Sequence, residues 1–156
     1  MNYAINFKIP QGPTGPAGGI AAFGGLYNDS TDDIEIKIGE QTKLPLPNEM
    51  PNANITYNNN SIEILESGIY EINYFSSVTV SISANVTLAV RKNGENIPAA
   101  ILTRSLSIGS SPIYSGSVIV ELDASDILDL AISSGLGIDV NLPSGVNTTL
   151  SVKKIS

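Results

Sequence analysis

The sequence contains no histidine, no cysteine and no tryptophan. Without the first two, a single chain cannot build a His- or Cys-based zinc site, a disulfide, a thiol nucleophile or a Ser-His or Cys-His catalytic arrangement. Basic residues are scarce as well: Lys+Arg 8 stand against Asp+Glu 15, a formal charge of −7. Nucleic-acid backbones and anionic membranes are recognised through basic clusters, so neither is an expected partner. No apolar run approaches the roughly 20 residues of a membrane helix. Met1 to Gln11 shows no basic segment leading into an apolar stretch and a small-residue cleavage site, so no secretory signal is expected. Carboxylate chemistry and hard-cation binding are what remain.

Charge is low in total, 15%, whereas hydrophobic residues reach 42%. A disordered acidic segment has the opposite balance, so the chain folds, and its 156 residues suit one domain. With Phe 3 and Tyr 6 the core must be aliphatic.

Three zones follow from the composition: a leader over residues 1–11, a Gly/Pro segment over 12–19, and a head over 20–156. In the leader, Tyr3, Ile5, Phe7 and Ile9 alternate with Asn2, Ala4, Asn6 and Lys8, a pattern suited to adding a strand to a partner's sheet edge. A flexible leader is the alternative. Gly12, Gly15 and Gly18 frame two Gly-X-Y triplets. Collagen requires Gly at every third position because only Gly fits the axis of three chains. Two triplets cannot hold a triple helix, and an ordinary Pro/Gly linker has the same composition.

The head reads as strand throughout. Ile34, Ile36 and Ile38 alternate with charged residues. From Val78 to Val90 every second residue is apolar, which predicts one long half-buried strand, and Asn93-Gly94 after it predicts a tight hairpin. Further strands are expected near Gly68–Phe75, Ile113–Leu122, Ile127–Ser133, Gly137–Leu142 and Thr148–Ile155, and no segment has helical periodicity. Many short strands with regular turns indicate a sandwich or jelly roll.

The polar faces of these strands are unusual. Neither Ile72–Val90 nor Ser105–Val120 contains a charged residue. Solvent-facing strands normally carry Lys and Glu, which discourage edge pairing. Ser, Thr and Asn in their place suit a surface buried against identical subunits, where hydroxyls and amides can pair without desolvating a charge. A solvated Ser/Thr face is the alternative.

Three segments then carry a resemblance. Gly68-Ile69-Tyr70-Glu71-Ile72-Asn73-Tyr74 resembles the Gly-hydrophobic-Tyr strand of the complement-type and tumour-necrosis-factor-like jelly rolls. Lys92-Asn93-Gly94 resembles their Lys-Asn-Gly hairpin, and Ser115 to Leu130 their paired late strands, with Ser125-Asp126 where those domains usually have Gly-Asp. Within that superfamily the chain is similar to the C-terminal domains of the collagen-like exosporium glycoproteins of spore-forming bacteria, the BclA family. The similarity lies in Gly12 to Gly18, the Ala21–Tyr27 junction, Gly135-Leu136-Gly137-Ile138 and the terminal Leu150–Ile155 strand. The resemblance implies an all-β, antiparallel jelly-roll sandwich of the complement/TNF-like type, assembled as a homotrimer. It also implies display on a spore surface, exosporium or appendage, with an adhesive role toward a glycan or host surface. The short collagen segment departs from long-stalked members and suggests a short-stalk protein whose leader docks onto another surface protein. A carbohydrate- or receptor-binding module of a phage tail fibre is the alternative function.

No enzyme is expected. Fifteen acids always supply carboxylate pairs, but none is singled out as a glycosidase pair. Two acidic sets merit attention as cation sites. Asp29, Thr31 and Asp33 resemble the start of a calcium loop, and Glu40 stands where the distal Glu belongs, but Ile34 occupies the position that needs Gly for the sharp turn, so a polar turn is the simpler reading. Asp123, Asp126 and Asp129 are the other set. Trimeric relatives can hold calcium near the axis, which makes these three the metal candidates, with a solvated hairpin tip as the alternative. No other cofactor is expected. Asn-x-Ser/Thr sequons at Asn28, Asn54, Asn59, Asn85 and Asn147 are unremarkable in so Asn- and Ser-rich a chain, and Thr14 in the collagen-like segment is an O-glycosylation candidate by the resemblance alone.

Overall fold

A computed structural model describes residues 4–5, 8–13 and 20–156. Among them there are fourteen strands and no helix: β1 (Phe23–Asn28), β2 (Asp32–Ile36), β3 (Thr42–Lys43), β4 (Asn48–Glu49), β5 (Ile55–Asn58), β6 (Ser61–Ile64), β7 (Gly68–Ser77), β8 (Thr79–Val80), β9 (Ala84–Lys92), β10 (Glu95–Leu106), β11 (Ile113–Leu122), β12 (Ile127–Ser134), β13 (Ile138–Leu142) and β14 (Thr148–Lys154). One sheet has the order β11-β7-β14-β1-β4 and faces a second with the order β10-β9-β12-β6-β5, while β3 pairs with β12 beside it. A small third sheet, β2-β13-β8, closes one end. Neighbouring strands are antiparallel, and the architecture is a jelly-roll sandwich of the TNF-like type.

Alternation explains the two layers. In β7, Tyr70, Ile72, Tyr74 and Ser76 point inward and are buried, and in β14 Leu150 and Val152 do the same. The opposing sheet contributes Val86, Leu88, Val90, Leu128, Leu130 and Ile132. The core is aliphatic, as the composition requires, and each such side chain contributes about 1.5–3 kcal/mol by leaving water. Tyr70 and Tyr114 can be wholly buried because each hydroxyl finds a carbonyl: Tyr70 donates to Glu66 O at 2.6 Å and Tyr114 to Val86 O at 2.8 Å. Both rings are held in the neutral form, Tyr114 with its phenol pushed up to about 12 by burial.

Two expectations are corrected. The predicted single strand over Val78–Val90 is two, β8 and β9, separated by exposed Ser81, Ile82 and Ser83. β8 pairs with β13 and β9 with β12, so the chain turns a corner from one sheet to another. Gly135-Leu136-Gly137 interrupts the partner pair at the same level, between β12 and β13. Val78, Val80, Ala84, Val86, Leu88 and Val90 are buried on both sides of the corner, which is why the period-two pattern runs through it; Ile82 alone emerges, 44% exposed. Similarly, the predicted Ile34–Ile38 strand ends at Ile36, with Ile38 out in solvent before Gly39, whose φ is +76. β10 follows the Asn93-Gly94 hairpin and contains Pro98, which is tolerated because β10 is an edge strand whose register slips between Asn96 and Ile101.

Candidate functional site

The uncharged segments Ile72–Val90 and Ser105–Val120 become neighbours in space. β7 and β11 pair along their full length, Ile113 to Leu122 against Ser77 to Gly68. Because β14 and β1 continue the sheet, the outward side chains form three registered rows. Ser115, Phe75, Thr149 and Tyr27 make the first; Ser117, Asn73, Ser151 and Gly25 the second; Ile119, Glu71, Lys153 and Phe23 the third. Hydroxyls and an amide thus fill the centre, with aromatic rings and Ile119 around them. Ile119 and Ile113 are 64% and 54% exposed, which leaves β11 as an apolar rim along an open sheet edge.

One ion pair crosses this face. Lys153 Nζ lies 2.8 Å from Glu71 Oε2, and Ser117 Oγ donates to Glu71 Oε1 at 3.4 Å. The bond from Lys153 holds the Glu71 carboxyl below its ordinary value, against a smaller opposing effect of burial. A paired charge adds little net field, so the middle of the face is close to neutral; the further outward charge on β11 is Glu121, exposed at its end.

The acidic candidates are dispersed. Asp126 Oδ2 accepts from the backbone N–H of Asp123 at 2.8 Å and Asp126 Oδ1 from Asn93 Nδ2 at 2.8 Å, so this carboxylate ties two turns together. Asp129 sits on the outer side of β12, as alternation predicts, yet it is buried there. Arg91 grips it through Nε at 2.6 Å and Nη2 at 2.9 Å, with Lys43 Nζ at 3.9 Å. Asp29 Oδ1 accepts from Asn48 and Asp33 Oδ1 from Asn141, on different strands. Within the described residues of one chain no three carboxylates are placed to hold an ion.

Of the leader positions, Ile5 and Ile9 are exposed, at 74% and 87%, while Tyr3 and Phe7 lie outside the described residues. Gly12 is exposed with open space around it, and Gly15, Gly18 and Thr14 lie outside the described residues. Sequons Asn28 and Asn147 are buried, whereas Asn54, Asn59 and Asn85 are exposed, the Asn54 amide donating to Ala21 O. No helix able to cross a membrane occurs among the described residues.

The family model described as the BclA C-terminal domain matches residues 24–156. No curated protein matches the chain. Among solved structures it is similar to the PRD1 vertex protein P5, at 18% identity over 89% of this chain and 100% of that one, with a TM-score of 0.61. It is also similar to an Eiger TNF from S. frugiperda (14% identity, 88% and 92% covered, TM-score 0.60) and to murine APRIL crystallised at pH 5.0 (14%, 86% and 98%, TM-score 0.58). At these identities the three show the fold.

Proposed function

Because this chain belongs to the BclA C-terminal domain family, we propose that it is the non-enzymatic head of a homotrimeric surface protein, displayed on a bacterial spore exosporium or appendage. The observation that carries the proposal is the nearly neutral outer face of the β11-β7-β14-β1-β4 sheet. Apart from Glu121 at its margin, a face whose central charges are internally paired, with hydroxyls and one amide at its middle and flanking aromatics, can be buried against copies of itself without stranding a charge. Homotrimers are typical of BclA and TNF-like domains, and three copies around an axis would join three collagen-like segments at residues 12–19.

Function then rests on presentation. Residues 20–156 form the compact head, residues 12–19 a short stalk remnant, and residues 1–11 the anchor. Tyr3, Ile5, Phe7 and Ile9 would add as a strand to the sheet edge of another surface protein, consistent with the exposure of Ile5 and Ile9. The acidic chain, with a formal charge of −7, repels anionic surfaces and leaves neutral ones as contacts. The same fold also suits a receptor-binding module of a phage virion, a reading that shares the trimer and differs in location.

The first test is the solution mass by light scattering after size exclusion, with and without a chelator. Three chain masses in both conditions support the proposal. Dissociation by the chelator assigns a metal to the assembly and returns Asp123, Asp126 and Asp129 to consideration. A stable monomer overturns the trimeric head. Antibody labelling of intact spores against purified virions then separates the two locations.

A further inference from the structure

At the edge of the sandwich, where β4 meets the β5–β6 hairpin, a cleft of 280 Å³ is lined by Leu26, Leu46, Pro47, Glu49, Tyr57 and the run Asn58-Asn59-Asn60. We propose that this cleft is a binding site for a single neutral sugar ring, presented as part of a glycan.

Preorganisation is the first argument. Asn59 and Asn60 take φ of 48 and 58, the paired left-handed conformation that a tight hairpin turn demands and that Asn tolerates better than most residues. The turn is fastened from both sides. Asn60 Oδ1 accepts from Leu46 N–H at 2.8 Å, and Lys43 Nζ donates to Asn59 O and to Ser61 Oγ, each at 3.0 Å. Tyr57 is equally fixed: its hydroxyl accepts from Gly25 N–H at 2.7 Å and donates to Met50 O at 3.0 Å. A wall locked in this way loses little conformational entropy when it takes up a ligand.

Chemistry supplies the second argument. The side-chain amides of Asn58 and Asn59 make no hydrogen bond among the described residues, and neither does the Glu49 carboxylate. Asn60, its oxygen committed to Leu46, has its Nδ2 left as a donor. Amides that both donate and accept, beside an acceptor carboxylate, match the vicinal hydroxyls of a pyranose, each of which does both. The Pro47 ring and the edge of Tyr57 offer apolar surface for the C–H side of the ring. Burial and the nearby Glu49 charge both raise the Tyr57 phenol, so it stays neutral.

Exclusion supplies the third. No cation lines the cleft, since Lys43 reaches the turn from outside it and its ammonium is already engaged. With Glu49 at the rim, phosphate, sulfate and uronate ligands are repelled. The volume lies just under the roughly 300–1,000 Å³ of drug-sized sites, which suits one ring and excludes a peptide segment. The proposal names a ligand class for the adhesive role but stands on this cleft alone. The solution mass tests assembly and leaves the cleft untouched, so the two can fail separately.

The experiment is saturation-transfer NMR on the whole chain in its native assembly, with N-acetylglucosamine, galactose and rhamnose as neutral probes and glucuronate as the anionic one. At least one neutral sugar should receive saturation, and Asn59→Gly with Glu49→Gln should reduce it about tenfold or more, a loss near 1.4 kcal/mol. Glycine accepts the left-handed backbone at position 59 and removes the amide, so the variant should fold, as a thermal melt will verify. Should it melt early, Glu49→Gln alone serves, because the Glu49 side chain is exposed and makes no hydrogen bond or ion pair among the described residues. Absence of transfer to every neutral probe overturns the proposal. So does transfer unchanged in the variants, or glucuronate signal equal to that of the neutral sugars.

Discussion

Arg91 and Asp129 stand opposite each other on β9 and β12 and are joined by two parallel hydrogen bonds, Nε to Oδ1 at 2.6 Å and Nη2 to Oδ2 at 2.9 Å. Their side chains are only 15% and 9% exposed, and Lys43 closes over the carboxylate. The planar guanidinium matches the carboxylate fork, which lets a charge pair survive where solvent is mostly excluded.

Removing one member of this pair leaves the other buried and uncompensated. Arg91→Met should therefore destabilise the head by about 3–5 kcal/mol, whereas Arg91→Met with Asp129→Leu should come close to wild type. Urea midpoints of the two variants check it, and equal losses would refute the argument.

Ser125 takes φ of 77 in the turn between β11 and β12, at the position where the resembling jelly rolls carry glycine. A non-glycine residue there costs about 1–2 kcal/mol, partly offset by glycine's greater freedom when unfolded. Ser125→Gly should raise stability by about 0.5–1 kcal/mol, read as a higher melting temperature.

On β11, Gly116 faces Tyr74 across the sheet, and an added Cβ would run into the phenol ring, which is itself packed in the core. Gly116→Ala should cost about 1–3 kcal/mol through overpacking. Gly116→Ala with Tyr74→Phe should recover part of that loss, because the hydroxyl is the nearest atom.

Alkali should unfold the head before it titrates the core. Tyr114 is raised to about 12, chiefly by burial, with Arg104 opposing from 5.7 Å above the ring. A raised folded-state value means that this contribution is complete below the unfolded value near 10 and is lost as pH climbs through 12. Tyr70 and Tyr74 shift in the same direction for the same reason. Tyrosinate absorbance and circular dichroism should change together in that window, and Tyr114→Phe should delay the transition.

Asn73 lies at the middle of the neutral face, between Ser117 and Ser151. Asn73→Glu adds an unpaired charge there while leaving the inward parity intact. If the face is buried in the proposed trimer, its melting temperature as an isolated chain should change little while the mass in solution falls from three chains to one; a mutant trimer would show that this face is free.

Much of the fold was legible because alternation is a local property. β7, β11, β12 and β14 lie within two residues of the spans that pattern predicts, and Asn93-Gly94 turns with φ of 53 and 83 as its composition demands. The corner at Ser81–Ser83 was not legible, since both strands bury the same parity and nothing local records a change of sheet. The short strands β3 to β6 carry too few residues to show a period.

The candidate sites divide in the same way. The want of charge on two segments is written in the sequence, and it is the source of the expectation of a second buried surface. That these segments lie side by side as β7 and β11 follows from long-range pairing, which local pattern cannot specify. Asp129 looked like one of three equivalent acids until the pairing of β9 with β12 set it against Arg91. Asn58-Asn59-Asn60 forms the wall of a cleft because side-chain bonds, Asn60 to Leu46 N–H and Tyr57 to Met50 O, fasten the β5–β6 hairpin against the β4 segment, and composition does not specify such bonds. Composition and periodicity determined the class of the fold and the chemistry it lacks. Which polar groups meet was decided by tertiary structure, because contacts between residues far apart in the chain depend on sheet order and register.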